Sequence, residues 1–337
     1  MRKKILLGAG IAVGTLTALS VWNERRSALK PQPLGAAAYG VEVQKLPVRA
    51  GGHTLYGELL LPRGKSGPLP TVICCAGFGT SFRFCKMTIG MCLAMSGFAA
   101  YCFDFYGGCK GSKSGGSMLE MSIFTERDDL SAVIAYIKTL DAVDQENLFL
   151  LGESQGGCVA GITAPRCRDD VRAMVQYYPA YCIPDDTPKR FTSAAEIPET
   201  YRVFHRRVGR TYAEQLLDFD IWQEISPYDR PVLIVHGDAD RVVNVSYGRQ
   251  AAEVYPDAQF VCLPGENHSF SGKGKLQAAK LAFDFFTTSL AGIALRVMEL
   301  DGGYHTDFKN PLICLLMDET AFPLQIELPV LCSAPAC

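Results

Sequence analysis

The chain has 337 residues, of which 48% are apolar and 20% charged, with a formal net charge of -2. That length accommodates one large α/β domain or two small ones, and the near-neutral balance gives no argument for a nucleic-acid partner. No metal-ligand spacing, dinucleotide fingerprint or internal repeat is visible, so neither a cofactor nor a metal is expected.

At the N-terminus, Arg2, Lys3 and Lys4 precede an uncharged run from Ile5 to Trp22, and Arg25 and Arg26 follow it. The run is near the lower limit for spanning a bilayer. It is long for the core of a cleavable signal peptide, and no clean A-x-A site follows directly. Residues 1–26 therefore read as a signal anchor holding the protein to a membrane. A cleaved signal peptide, and hence secretion, or an ordinary terminal helix are the alternatives. Basic residues flank both ends, which leaves the side of the membrane open. Residues 27–40, with Pro31, Pro33 and Gly35, read as a linker.

Two strands are predicted next, over Val41 to Val48 and Thr54 to Leu61. From Thr71 onward, strand and helix patterns alternate, which implies a mostly parallel sheet flanked by helices over residues 41–290. Thr71 to Cys75 is an apolar strand leading into a Gly-rich loop, Ala76-Gly77-Phe78-Gly79-Thr80. Leu130, Val133, Ile134 and Ile137 recur at helical spacing, so 123–139 is an amphipathic helix packed on the core.

The apolar run Leu148-Phe149-Leu150-Leu151 reads as a buried strand, and Gly157-Cys158-Val159-Ala160-Gly161 as the start of a packed helix. Between them lies Gly152-Glu153-Ser154-Gln155-Gly156. A serine on a sharp strand-to-helix turn projects its hydroxyl outward, and flanking glycines let the backbone fold that tightly. The pentapeptide alone is a weak signal; the strand before it and the small-residue helix after it make it a nucleophile elbow.

A strand over Ala173 to Tyr178 follows, and then residues 183–225 interrupt the alternation. This segment holds Lys189, Arg190, Arg202, Arg206, Arg207 and Arg210, which read as a solvated helical face rather than as a trap for anionic substrates. Tyr177, Tyr178, Tyr181 and Tyr201 are candidates for an aromatic pocket and equally for ordinary packing. Val232 to Val235 is a buried strand followed by His236-Gly237-Asp238-Ala239-Asp240. Ala258 to Leu263 is a less regular strand leading into Pro264-Gly265-Glu266-Asn267-His268. A helix from Lys273 to Leu290 closes the pattern, leaving an apolar, Pro-interrupted tail over 291–337. Cys74, Cys75, Cys102 and Cys262 fall in predicted strands as small hydrophobes, and no spacing among the thirteen cysteines suggests a disulfide framework. That usage fits a reducing compartment better than an exported one, and so runs against the anchor.

The chemistry explains the residue types. A serine hydroxyl needs a base whose pKa lies near the working pH, and histidine is that side chain. The imidazole needs a carboxylate to fix its tautomer and stabilise the imidazolium. In the order serine, acid, histidine, with acid and histidine after strands, Ser154 is the candidate nucleophile and His268 the candidate base. Asp238 and Asp240 compete as the acid. Backbone N–H groups of Phe78 and Gln155 are the candidate oxyanion-hole donors.

Together these pieces resemble the α/β-hydrolase superfamily, and within it bacterial esterases of the cinnamoyl/feruloyl type. The resemblance rests on Ala76-Gly77-Phe78, Phe103-Asp104-Phe105-Tyr106-Gly107, Gly152 to Gly157, His236 to Val243, and Gly265 to Phe270, and covers roughly residues 40–290. It implies an α/β-hydrolase fold with a lid at about 183–225, a small-molecule ester as substrate, and Asp240 rather than Asp238 as the orienting acid. Ala76 stands where relatives carry a histidine that braces the oxyanion loop, and Gly107-Gly108-Cys109-Lys110-Gly111-Ser112 departs from their pattern. The expected function is a serine hydrolase acting on carboxylic esters. The alternatives are an aminopeptidase-like serine peptidase, for which Asp185, Asp186, Glu196, Glu199 and Glu214 would bind a substrate amine, or a non-catalytic binding protein on the same fold.

Overall fold

The uninterrupted apolar runs of the sequence lie at the centre of a single eight-stranded sheet. A computed structural model of the chain describes residues 30–291. The strands are β1 (Val41–Lys45), β2 (Val48–Ala50), β3 (His53–Leu55), β4 (Gly57–Pro62), β5 (Leu69–Cys75), β6 (Ala99–Phe103), β7 (Val143–Glu153), β8 (Ala173–Tyr177), β9 (Thr200–Val203), β10 (Arg206–Gly209), β11 (Val232–Gly237) and β12 (Ala258–Leu263). The helices are α1 (Phe82–Cys85), α2 (Met91–Met95), α3 (Ile123–Ile137), α4 (Gln155–Thr163), α5 (Cys182–Arg190), α6 (Thr211–Glu214), α7 (Ile221–Ile225), α8 (Val245–Val254) and α9 (Gly272–Thr288). A π-helical turn, Lys86–Gly90, joins α1 to α2.

The main sheet has the order β1-β4-β6-β5-β7-β8-β11-β12. The pairs β1/β4 and β4/β6 are antiparallel and every later pair is parallel. Central parallel strands are covered on both faces, so their residues are apolar throughout rather than alternating. Ile73, Cys75, Leu148 and Leu150 point to one side, into a core shared with Leu130, Val133, Ile134 and Ile137 of α3. Val72, Cys74, Phe149 and Leu151 point to the other, against Phe283 and Phe286 of α9.

The strand expected over Val41 to Val48 is two strands. β1 ends at Lys45, and β2 pairs with β3 in a separate two-stranded ribbon. Pro47 lies at the break, where it has no N–H to carry a ladder onward. Between β8 and β11 the chain inserts α5, the β9–β10 hairpin, α6 and α7. Arg202, Arg206 and Arg207 lie on or beside the strands of that hairpin, not on a helix face, which corrects the sequence reading.

The expected signal anchor at 1–26 and the tail lie outside the described residues, apart from Ala291. Among the described residues, no helix is long and apolar enough to cross a membrane. The ten described cysteines are free thiols, seven of them buried.

Candidate active site

Ser154 sits where β7 gives way to α4, and its φ of 54° is in the left-handed region. A non-glycine residue there is strained, and its surroundings must hold it. Its N–H donates to the Tyr177 carbonyl at 2.9 Å, and its carbonyl accepts from the N–H groups of Gly157, Cys158 and Ala180 at 3.0, 3.1 and 3.0 Å. The flanking glycines are required by close packing. A Cβ at Gly152 would stand 2.3 Å from the Gly156 carbonyl oxygen, and one at Gly156 would stand 2.3 Å from the Cys75 carbonyl oxygen. The turn is thus wedged against the end of β5.

His268 lies on the loop between β12 and α9. Its Nε2 is 3.0 Å from Ser154 Oγ, and its Nδ1 is 2.7 Å from Asp240 Oδ2. Two neighbours of His268, Ser269 and Phe270, also have positive φ, at 71° and 52°. The Tyr178 ring packs on the imidazole with centroids 4.6 Å apart. The loop is held by this packing together with hydrogen bonds from the Phe270 N–H to the Asn267 carbonyl and from the Ser271 N–H to the Glu266 carboxylate.

Asp240 has a fully buried side chain. Burial opposes its ionisation, but hydrogen bonds from His236, His268 and the Val242 N–H outweigh that, holding its carboxyl well below the usual carboxylate range. Its Oδ1 accepts from the N–H groups of Val242 and Val243 at 2.8 and 3.0 Å. Asp238, the competing acid, is exposed and accepts from the Gly265 N–H at 2.6 Å. The structure therefore brings Ser154, His268 and Asp240 into one hydrogen-bonded line and leaves Asp238 as a loop brace.

The β5–α1 loop abuts the elbow. A Cβ at Gly77 would stand 3.1 Å from the Glu153 carbonyl oxygen and 3.2 Å from Ser154 Cβ. Phe78, Ser154 and Gln155 line the same cavity, of about 200 Å³. Gln155 opens α4, where the first N–H groups of a helix lack intrahelical partners. Asp104 of the Phe103-Asp104-Phe105 segment braces the region, accepting from the N–H groups of Phe82 and Lys113 at 2.7 and 2.8 Å.

The inserted segment adds an aromatic wall of Phe191, Tyr201, Phe204 and Tyr212, and Val242 and Val243 of the β11–α8 loop line the cavity as well. Of the four tyrosines proposed for an aromatic pocket, only Tyr201 lines it. Tyr177 donates to the Ala278 carbonyl, Tyr181 bonds to Tyr255 and Gln176 in the core, and Tyr178 packs on His268. Of the five lid carboxylates, only Asp186 lines the cavity, and it pairs with Lys189 at 3.1 Å. Asp185 accepts from Tyr247, Glu196 from Thr192, and Glu214 pairs with Arg210.

Three buried polar residues have partners that the sequence did not assign. His236 Nε2 lies 3.2 Å from Asp240 Oδ2 and 3.0 Å from the Val243 carbonyl oxygen. Glu126 is bonded by the Gln155 side chain, and Tyr212 donates to that side chain. Glu126 had a legible signal, since it lies four residues before Leu130 on the apolar face of its helix. Among the described residues, no group of three or more His, Cys, Asp or Glu side chains is placed to hold a metal ion.

Comparison with known proteins agrees with this fold. The family profile of the alpha/beta hydrolase fold matches residues 70–182. The chain has no match among the curated proteins. Among solved structures it is similar to Est1E from Butyrivibrio proteoclasticus with ferulic acid bound, at 25% identity and a TM-score of 0.66 over 72% of this chain and 98% of that one. A second Est1E structure aligns at 23% identity and a TM-score of 0.63, covering 73% of this chain and 98% of that one. The dienelactone hydrolase of Anabaena variabilis shares the fold, with a TM-score of 0.52 at 18% identity over 74% of this chain and 98% of that one.

Proposed function

We propose that this chain, which has the α/β-hydrolase fold, is a serine hydrolase that cleaves carboxylic esters through an acyl-enzyme intermediate. The observation that carries this reading is the unbroken line from Ser154 Oγ through His268 to Asp240, at 3.0 and 2.7 Å, opening onto an aromatic-lined cavity.

In this reading, Ser154 Oγ attacks the ester carbonyl as His268 Nε2 takes its proton. Asp240 holds the Nδ1–H tautomer and stabilises the imidazolium. The developing oxyanion is met by the N–H groups of Phe78 and Gln155. His268 then protonates the departing alkoxide. Water, deprotonated by His268 in turn, releases the acyl group and restores Ser154. Phe78, Phe191, Tyr201 and Tyr212 favour an aryl-bearing or extended apolar acyl group in the cavity, and the ferulic acid bound by the similar Est1E supports that choice.

The lid carboxylates speak against the aminopeptidase reading. A substrate amine needs an unengaged carboxylate in the cavity, and among the described residues the one carboxylate that lines it, Asp186, is paired with Lys189. The hydrolase reading is tested with p-nitrophenyl esters of increasing acyl length. The wild-type protein turns them over, and Ser154→Ala lowers kcat about 10⁴-fold or more. Undiminished turnover by that variant contradicts the assignment.

A further inference from the structure

The side chain of Gln155 is engaged at both ends. Its Nε2 donates to Glu126 Oε2 at 2.8 Å, and its Oε1 accepts from the Tyr212 hydroxyl at 2.7 Å. All three residues are buried: Gln155 is 1%, Glu126 2% and Tyr212 6% exposed. They come from three separate elements, the elbow, the first turn of α3 and the inserted segment at α6. With both ends of its amide occupied, the Gln155 side chain does not reach toward a reacting carbonyl. Its route to the chemistry is its own main chain, whose N–H is a proposed oxyanion donor.

Each end of this arrangement also leads to the loop that carries the other donor. The Tyr212 ring packs on the Phe78 ring with centroids 5.7 Å apart. Glu126 Oε1 lies beside Gly108, where an added Cβ would stand 3.2 Å from it. The Gly108 carbonyl in turn accepts from the Gly79 N–H at 3.1 Å, next to Phe78 in the oxyanion loop. A buried polar network of this kind rigidifies its members when every bond is satisfied, and loses that effect when one partner is removed.

Resting on the hydrolase reading, we propose that Tyr212 and Glu126 are positioning residues that clamp Gln155 from opposite sides and thereby set the geometry of the oxyanion hole. Removing the Tyr212 hydroxyl leaves Gln155 Oε1 buried without a donor, so the amide turns to find another partner and carries its peptide with it. Small misplacements of a catalytic donor have large rate effects. Substrate affinity in the ground state depends instead on the ring, which Tyr212→Phe keeps.

The experiment measures kcat, KM and inhibition by an alkyl boronic acid, which forms a tetrahedral adduct on the serine with one oxygen in the oxyanion hole. Active sites are counted by fluorophosphonate labelling, so that loss of folded protein is divided out. For Tyr212→Phe, kcat per active site falls about tenfold, KM stays constant, and the boronic acid KI rises by the same factor as kcat falls. Glu126→Ala moves kcat and KI in the same direction, and Glu126→Gln, which retains an oxygen acceptor for Gln155 Nε2, recovers most of that loss. An unchanged kcat and KI in Tyr212→Phe, with or without a lowered Tm, overturns the clamp while leaving the hydrolase reading intact. A wild-type protein inert to esters and to the fluorophosphonate overturns both.

Discussion

Asp240 Oδ2 is shared by two histidines, His268 at 2.7 Å and His236 at 3.2 Å. His236 is fully buried, and its Nε2 also lies 3.0 Å from the Val243 carbonyl oxygen, an acceptor only, so Nε2 carries the hydrogen. Asp240 thus receives hydrogen bonds from two backbone N–H groups and two imidazoles, which keeps it ionised in a buried site. Its contribution to stability is present above the ordinary carboxylate pKa of about 4 and is lost as pH falls below it.

The acid assignment is open to direct comparison. Asp240→Asn lowers kcat by about 10³- to 10⁴-fold, because the carboxamide presents the wrong partner to the imidazole. Asp238→Asn, whose oxygen still accepts from the Gly265 N–H, keeps kcat within a few-fold. Steady-state rates on one aryl ester decide between them, and equal losses in both variants contradict the geometry.

The elbow makes a prediction about folding. Gly156→Ala drives a methyl group to 2.3 Å from the Cys75 carbonyl oxygen, a backbone atom at the end of a central strand. The variant is destabilised by about 3 kcal/mol or more. Urea unfolding of purified protein measures this, and a loss under about 1 kcal/mol contradicts the packing described here.

Glu126 gives stability a pH dependence. Burial pushes its carboxyl up from 4.5 to about 8. A carboxyl raised in the folded state stabilises fully below its unfolded pKa, and that contribution disappears as pH rises through the folded value. Between about pH 4.5 and 8 the wild type therefore loses stability relative to Glu126→Gln, by a few kcal/mol in total. Denaturant midpoints at pH 5, 6.5 and 8 test this. A constant difference between the two proteins shows that Glu126 does not titrate in that window.

The pocket wall predicts specificity. Tyr201 is held edge-on to Phe191, with centroids 5.2 Å apart, and beneath the Arg190 guanidinium at 4.8 Å. Tyr201→Ala enlarges the cavity and moves the kcat/KM optimum toward bulkier acyl groups. An acyl series on the variant reads the shift, and an unaltered order of preference places the acyl group elsewhere.

Much of the fold was legible because its strongest elements are locally determined. Residues 72–75 of β5 and 148–151 of β7 are apolar on both faces, and the α3 pattern is regular, so none of these needs tertiary context to be recognised. The elbow was legible because its glycines answer a steric demand. The β9–β10 hairpin was not. Its strands alternate Tyr201 and Val203 with Arg202, but its turn is made by Phe204, with φ of 51°, and His205, without the Gly or Asn that marks such turns. The choice of Asp240 over Asp238 rested on family resemblance because two carboxylates two residues apart differ only in what the loop places beside them. Tyr212 carries no local pattern at all; its partner Gln155 is distant in sequence and meets it only in the folded chain.

The most direct measurement is the mapping of a fluorophosphonate adduct by peptide mass spectrometry. One adduct is expected, on Ser154, absent from the Ser154→Ala protein and greatly slowed in His268→Ala. An adduct on another residue, or none on a folded protein, would contradict the Ser154 assignment.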